Sequence, residues 1–483
     1  MGVNCSRGGV MSGARAANVD TFRKRFGGTV LEPDDAGYDK ARAIWNGAID
    51  RRPAVIAQCA NPAEVADAIH FGRDAGLEIS VRGGGHNFSG NALVNRGLTV
   101  DLTRMRQVTV DPKAKRSRCG GGATWGDYDT ATYAHGLAST GGFITHTGVA
   151  GLTLGGGLGW LNRKAGLASD NLTAVELVTA AGDLVRASAT ENPDLFWAVR
   201  GGGGNFGVVT TFEFALHEVG PVYLQLYFWG LDDGPKVLRA FEDFTRGLPD
   251  DVTAFMDGHP PHHAPDEYRQ IPGYTMVVVG FSTPEAHRTA LAPVRDAFPT
   301  PLFESATTLK YTELQSMADV AAPWGILAYE RAIHLETMSP EAADVIAEHL
   351  PRKASPMSFM PIFVLGGAYS RIPDGDSAFS GSRSTRYVVN MAALAQTHDL
   401  LAADTQWVRN LWDALVPHSG SVGSYVNFMT EFEHDRVRAS YGPKKYDRLA
   451  SIKATWDPDN VFHLNANIQP AGKLAGKLPG AAA

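Results

Sequence analysis

Val81-Arg82-Gly83-Gly84-Gly85-His86-Asn87-Phe88-Ser89-Gly90 is the stretch on which the reading of this chain turns. Ahead of it, Asn61-Pro62-Ala63-Glu64 reads as a helix start, with Asn61 as N-cap, Pro62 in the first position and Glu64 placed to reach back. Val65, Ala68 and Ile69 give that helix a buried stripe, and Gly76 ends it. Leu77–Val81 then reads as a strand that runs straight into three glycines and a histidine. In such a loop successive N–H groups can point inward as a nest for phosphate oxygens, because no Cβ obstructs them. His86 is thereby held against whatever the nest binds. A lone loop histidine is ordinarily a satisfied polar residue, so its neighbours elsewhere in the chain have to decide.

Working outward, the 53 glycines are clustered: Gly83–Gly85, Gly120–Gly122, Gly155–Gly157 and Gly201–Gly204 all lie in the first 207 residues. Glycine loses backbone entropy on folding, and strand-like segments flank each run, so close approach of the main chain to an extended ligand is the expectation rather than flexible linkers. Strands are expected at Leu98–Leu102, Gln107–Val110 and Arg116–Cys119, and two more over 172–187 and 207–216. Gly202, Gly204 and Gly207 match the dinucleotide fingerprint GxGxxG. The run Val208-Val209-Thr210-Thr211-Phe212 that follows is strand-like, however, and a Rossmann turn must open a helix. The context therefore argues against a classical nicotinamide-binding fold.

The totals fit a folded protein of two domains: 483 residues, 44% hydrophobic and 20% charged. With 44 basic and 51 acidic residues the net charge is −7, which argues against nucleic acid as a partner. Three cysteines, Cys5, Cys59 and Cys119, form no CxxC pair and no disulfide framework. Met1–Val19 lacks an apolar run and reads as a flexible leader, and no stretch approaches the length of a membrane span. Cytoplasmic localisation is the expectation. Past Gly220 the glycine runs stop. A helical stripe (Val237, Leu238, Phe241, Phe244) and short strands at Tyr274–Val279, Met360–Leu365 and Arg386–Met391 mark a second domain over 220–420. Asp257–Pro265 and Arg371–Arg383 read as loops. His259, His262 and His263 fall in the first of these; without a carboxylate pattern they predict no metal.

Four segments, Arg82–Gly90, Gly141–Trp160, Gly201–Gly207 and Tyr425 through Pro470, together resemble the berberine-bridge-enzyme-like FAD-linked oxidases of the vanillyl-alcohol-oxidase and PCMH superfamily. Within that group the likeness is to the bacterial 6-hydroxynicotine-oxidase-like members. The resemblance implies an α+β, two-domain PCMH-type fold. Its FAD domain is built from 20–219 and 421–475, and between these is inserted a substrate domain, 220–420, with an antiparallel sheet covered by helices. It implies FAD bonded covalently to His86, and it carries over as cofactor-binding residues Arg82, Gly83, Gly84, Gly85, Asn87, Ser89 and Gly90. From the second segment come Thr147, Gly148, Gly151, Gly155 and Gly157; from the third, Asn205, Gly207 and Val208. Many relatives add a cysteine bond to the flavin. The position that matches is Ile144, which predicts one bond rather than two.

Tyr425-Val426-Asn427 matches the family's YxN motif, and on a strand Tyr425 and Asn427 would share one face, looking at the flavin. Tyr425 is thus the candidate catalytic base, with His146 and Tyr387 as further catalytic candidates and Tyr369 and Asn390 lining the substrate side. The implied reaction is oxidation of a small organic alcohol, amine, sugar-type or natural-product substrate, with molecular oxygen reoxidising the flavin to give hydrogen peroxide. A dehydrogenase or oxidative cyclase using another acceptor, and a catalytically silent flavin-binding protein, remain as alternatives.

Overall fold

The computed structural model describes residues 13–261, 264–420, 424–432 and 434–472. Asn61 caps the helix Pro62–Asp74 as its sequence predicts: its Oδ1 accepts the Glu64 N–H at 3.0 Å, and Glu64 Oε2 reaches back to the Ala60 N–H at 2.7 Å. This helix packs on a four-stranded sheet in which Val55–Gln58, Leu98–Asp101 and Ile79–Arg82 run parallel and Thr29–Leu31 closes one edge antiparallel. The strand that opens into the glycine loop is thus an edge strand, and its loop leaves the sheet freely.

A second sheet of five antiparallel strands has the order Val108–Asp111, Arg116–Gly120, Val208–Ala215, Leu172–Val178, Leu184–Ser188. The region 172–187 is therefore a hairpin rather than one strand, turned at Gly182 with φ +89°. Of the expected leader, Gly13 onward already lies in the helix Gly13–Arg25, with Phe22 stacked 4.2 Å from Phe71. The glycine runs also need a partial correction. Several press on protein rather than face a ligand: a Cβ on Gly122 would lie 1.8 Å from the Leu102 carbonyl oxygen, and one on Gly121 2.3 Å from that of Val209.

Seven antiparallel strands, drawn only from Val222 through Ala395, form the third large sheet. Alternation sorts its side chains. Tyr329, Ile333, Tyr387 and Val389 face the helices Gly234–Arg246, Pro340–His349 and His398–Leu415 in one apolar core, whereas Glu330 and Asn390 face the opposite way into a cavity. A separate core joins residues 119–216 to Val426, Leu449 and Ile468 of the closing segment. That segment is anchored by Lys453, whose ammonium is fully buried and donates to the Asn205 carbonyl, Asp457 Oδ2 and the Phe462 carbonyl at 2.8, 2.9 and 2.8 Å. A buried charge persists only when its hydrogen bonds are so completed.

The seam between the seven-stranded sheet and the rest of the chain holds a buried ionisable group. Asp129, on the helix Trp125–Tyr133, accepts from Gln315 Nε2 at 2.7 Å, and burial raises its carboxyl from 3.8 to about 7. A folded-state value above the unfolded one means stability is present at low pH and lost as pH rises between these two values. Asp129→Asn is expected to raise Tm, by an amount that widens from pH 5 to about pH 7 and is constant above. Calorimetry at pH 5, 7 and 8 checks this, and an equal effect at all three would contradict it.

Candidate flavin and substrate site

A cavity of about 680 Å³ lies where the glycine loops, the closing segment and the seven-stranded sheet meet. The loop after Ile79–Arg82 turns with Gly85 at φ +69° and lies against the loop that ends at Gly148. A Cβ on Gly84 would sit 2.4 Å from Gly148 N, and one on Gly148 2.5 Å from Gly84 N, so neither position admits a side chain. The N–H groups of Gly83, Gly84 and Gly85 have no partner among the described residues, and all three line the cavity. Gly85 is buried and Gly83 and Gly84 half-buried, and amides left unpaired out of water are expensive unless a ligand takes them. They fit a group that carries phosphate oxygens.

His86 lines the same wall. Its ring stacks on Trp45 with centroids 4.5 Å apart and planes 16° apart, and its Nε2 lies 3.1 Å from His146 Nδ1. Burial, and then the neighbouring His146, push its pKa down to about 3, so the imidazole is neutral at neutral pH. Burial also lowers His146, against the opposing pull of Asp319 and the Ala322 carbonyl. His146 does not itself line the cavity; it meets the site through its contact with the His86 ring.

Tyr425 and Asn427 both line the cavity, but not from a strand. Tyr425 is extended and precedes the short 3-10 turn Val426–Phe428, which brings the two side chains together. Asn427 Nδ2 donates to the Tyr425 hydroxyl at 2.7 Å, and the N–H groups of Gly157 and Leu158 donate to the same oxygen at 2.7 and 3.3 Å. Burial raises the phenol to about 12 against the pull of these donors. Gly155 must be glycine here, since its Cβ would fall 2.0 Å from Asn427 Oδ1.

Asn87, Thr147, Gly151, Gly155, Gly207, Val208 and Asn390 also line the cavity, as does Ile144. Besides His146, seven expected site residues lie elsewhere. Arg82 turns away, its guanidinium donating to the Ala41 carbonyl, and Ser89 donates to Asn87 Oδ1. Gly90 is required by φ +71° and by Ile49, which a Cβ would strike at 2.6 Å. Gly157 acts through its N–H on Tyr425, and Asn205 ties the Gly202 and Ala466 carbonyls together. Tyr369 is buried with its hydroxyl on the Ser382 carbonyl, at 2.7 Å, under the Arg383 guanidinium. Tyr387 faces the helices, bonded to Thr245 Oγ1 at 2.6 Å: from Asn390 it is an odd number of residues away, and on a strand that means the other face. Trp45 and Glu330, which the sequence did not single out, are both in the lining.

Residues 53–188 match the FAD binding domain family, and residues 424–469 the family described as berberine and berberine like. The (R)-6-hydroxynicotine oxidase of Paenarthrobacter nicotinovorans is 32% identical over 92% of this chain and 97% of its own length. This chain belongs to the berberine-bridge-enzyme-like FAD-linked oxidoreductases. The solved structure of 6-hydroxy-D-nicotine oxidase from Arthrobacter nicotinovorans, 29% identical, superposes with a TM-score of 0.81 over 92% of this chain and 98% of that one. Glucooligosaccharide oxidase from Acremonium strictum, described with a 6-S-cysteinyl, 8α-N1-histidyl FAD, shares the fold at 22% identity, with a TM-score of 0.83 over 94% and 99%. As a family member the chain is an oxidoreductase with the mixed helix and sheet architecture of these enzymes.

Cys59 and Cys119 are both buried outside the cavity lining, and burial raises both thiols. Cys5, His262 and His263 lie outside the described residues. His259 Nε2 lies 2.9 Å from the Pro356 carbonyl oxygen, and no group of metal-ligating side chains occurs among the described residues. Nor is any described helix long and apolar enough to cross a membrane.

Proposed function

We propose that this enzyme holds FAD covalently through His86 Nδ1 and oxidises a small organic substrate, with molecular oxygen as the final acceptor and hydrogen peroxide as product. The His86–His146 contact carries the reading. A backbone carbonyl can only accept, so the Ala322 carbonyl claims the proton of neutral His146 and leaves its Nδ1 as acceptor. With His86 donating from Nε2, its lone pair rests on Nδ1, on a ring whose plane Trp45 fixes, with its own backbone carbonyl competing for the ring proton. That is the state a histidine needs in order to form a bond to carbon. The histidyl linkage named for the Acremonium strictum neighbour is consistent with it.

Bound FAD supplies the two-electron acceptor; the chain supplies position and a proton acceptor. The amides of Gly83–Gly85 are the donors for the phosphate oxygens; Gly148, Gly155 and Gly207 line the same cavity, with Gly84, Asn427 and Leu177 pressed against their bare Cα atoms. The same reading makes 20–219 with 421–475 the flavin domain and 220–420 the inserted substrate domain. Tyr425 is the base. A phenol at about 12 is a poor base toward a resting substrate, but the substrate's O–H or N–H acidifies as electrons leave the adjacent carbon. Three donors around one oxygen are the arrangement that suits a phenolate.

Acid precipitation of the purified holoenzyme tests the attachment. The yellow colour should stay with the polypeptide, and digestion should give a single flavin-bearing peptide containing His86. Alkylation after denaturation should modify Cys5, Cys59 and Cys119 alike. Free FAD in the acid supernatant would refute the linkage, and a flavin-linked cysteine would refute the assignment of Ile144.

A further inference from the structure

The short turn Asp319–Ala321 borders the cavity and is laced to the loops that hold His86. Asp319 grips Thr145 with both oxygens, accepting its N–H at 2.8 Å and its hydroxyl at 2.5 Å. Trp45 Nε1 donates to the Ala322 carbonyl at 2.8 Å, and His146 turns a ring N–H to the same oxygen. That one carbonyl orients both rings around His86: Trp45, stacked on it, and His146, at its Nε2. Three further contacts run alongside. Gly325 N–H meets the Trp45 carbonyl at 3.0 Å, Gly47 N–H meets the Ile326 carbonyl at 2.8 Å, and Asn46 pairs with both backbone groups of Ala328 at 2.9 and 3.0 Å. Gly47 admits no side chain here, since a Cβ would lie 2.1 Å from the Gly325 carbonyl oxygen. The His86 ring proton has two claimants: His146 Nδ1, which faces Nε2 at 3.1 Å, and the residue's own backbone carbonyl, which only Nδ1 can reach.

We propose that this turn of the substrate domain licenses covalent attachment of the flavin, by fixing His146 as the acceptor of the His86 ring proton, with Asp319 as its positioning residue. This rests on His86 being the attachment point. The Ala322 carbonyl can only accept, so His146 keeps its proton on the nitrogen that faces it and offers the Nδ1 lone pair to His86. That offer decides the competition against the backbone carbonyl and leaves His86 Nδ1 free to bond. As Nδ1 bonds to the 8α carbon, one C–H bond of that carbon breaks. The imidazole is spared a positive charge because its Nε2 proton passes to His146, and the C–H proton goes to solvent. The flavin keeps the two electrons until molecular oxygen takes them, with two protons, as hydrogen peroxide. Without the turn, nothing holds the His146 ring in its tautomer, the proton returns to Nδ1, and that nitrogen has no lone pair to give. Attachment therefore follows the docking of the two domains.

The full-length chain and its variants, made in riboflavin-starved cells and then given FAD in air, test this when samples are quenched in acid over time. His146→Ala is expected to form the acid-stable bond about 10²-fold more slowly than the wild type, and Asp319→Ala at least about tenfold more slowly. Both should still bind FAD, since the glycine loop is untouched, and acid should release it. His146 lies half-buried beside the exposed Trp324, so a small molecule can reach its place. Added imidazole should therefore speed attachment in His146→Ala severalfold and leave the wild type unchanged, which a merely structural role would not produce. Asp319→Asn can still accept the Thr145 N–H and should recover most of the rate. The proposal is overturned by attachment at the wild-type rate in either alanine variant, by imidazole without effect on His146→Ala, or by Asp319→Asn as slow as Asp319→Ala. The two residues lie in different domains, so if one variant fails to fold the other decides. A wild type that surrenders all its FAD to acid would instead sink the proposed linkage.

Discussion

Tyr425→Phe is expected to slow anaerobic flavin reduction by about 10²–10⁴-fold, the usual effect of removing a base from the transition state. The ring packs against Phe428 at 4.9 Å and Phe379 at 5.9 Å, and Phe preserves both contacts. Only the hydroxyl goes, and with it the acceptor for the Gly157, Leu158 and Asn427 donors. Folding and flavin content should therefore survive, and reoxidation of the reduced enzyme by oxygen should change little. Stopped-flow absorbance resolves the two half-reactions. Reduction within a few-fold of wild type would make Tyr425 a packing residue. Tyr387, on the far face of the sheet, could not take over its role.

His86→Ala is expected to abolish covalent attachment, so that acid releases all the flavin from the variant and none from the wild type. The glycine cradle does not depend on the imidazole, so FAD should still bind, reversibly, while the polypeptide is folded. Loss of the ring also leaves Trp45 and His146 facing a gap, and a modest fall in Tm is expected with it, since an aromatic contact of this kind contributes about 0.5–1.5 kcal/mol. Acid-stable flavin in this variant would show that another residue makes the bond.

Much of this was legible in the chain because local rules carried it. The Asn61 cap, the glycine loop after a strand and the match of Tyr425-Val426-Asn427 to a motif all follow from sequence neighbours. What was not legible depends on strand parity and on distant packing. Tyr387 and Asn390 are three residues apart, and without the register nothing says which of them faces the cavity. Glu330 sits in Ala328-Tyr329-Glu330-Arg331, an unremarkable polar pair in sequence, and only the strand beside it makes it a buried neighbour of Asn390. Arg82 lies next to the loop but at an inward strand position, so its side chain leaves on the opposite side. His146 sits within a matching segment, but its contact with His86, 60 positions away in the chain, comes from two loops closing on each other through Gly84 and Gly148.

The anchoring of the closing segment by Lys453 has a consequence for how the protein is made. Translation proceeds from the N-terminus, and domains tend to fold as their residues emerge. The five-stranded sheet and the helix-covered sheet leave the ribosome with everything they need for their own strands. The core beneath the first of them lacks Val426, Leu449 and Ile468 until the last of the described residues follow. Until then Asn427 is missing from beside Gly155, and the Asn205 carbonyl waits for its ammonium. The pocket closes only once the segment from Ser424 to Ile468 has emerged. Secure capture of the cofactor therefore waits for this segment, and a ribosome stalled before residue 424 holds two folded sheets with the glycine loop and His86 facing an open seam.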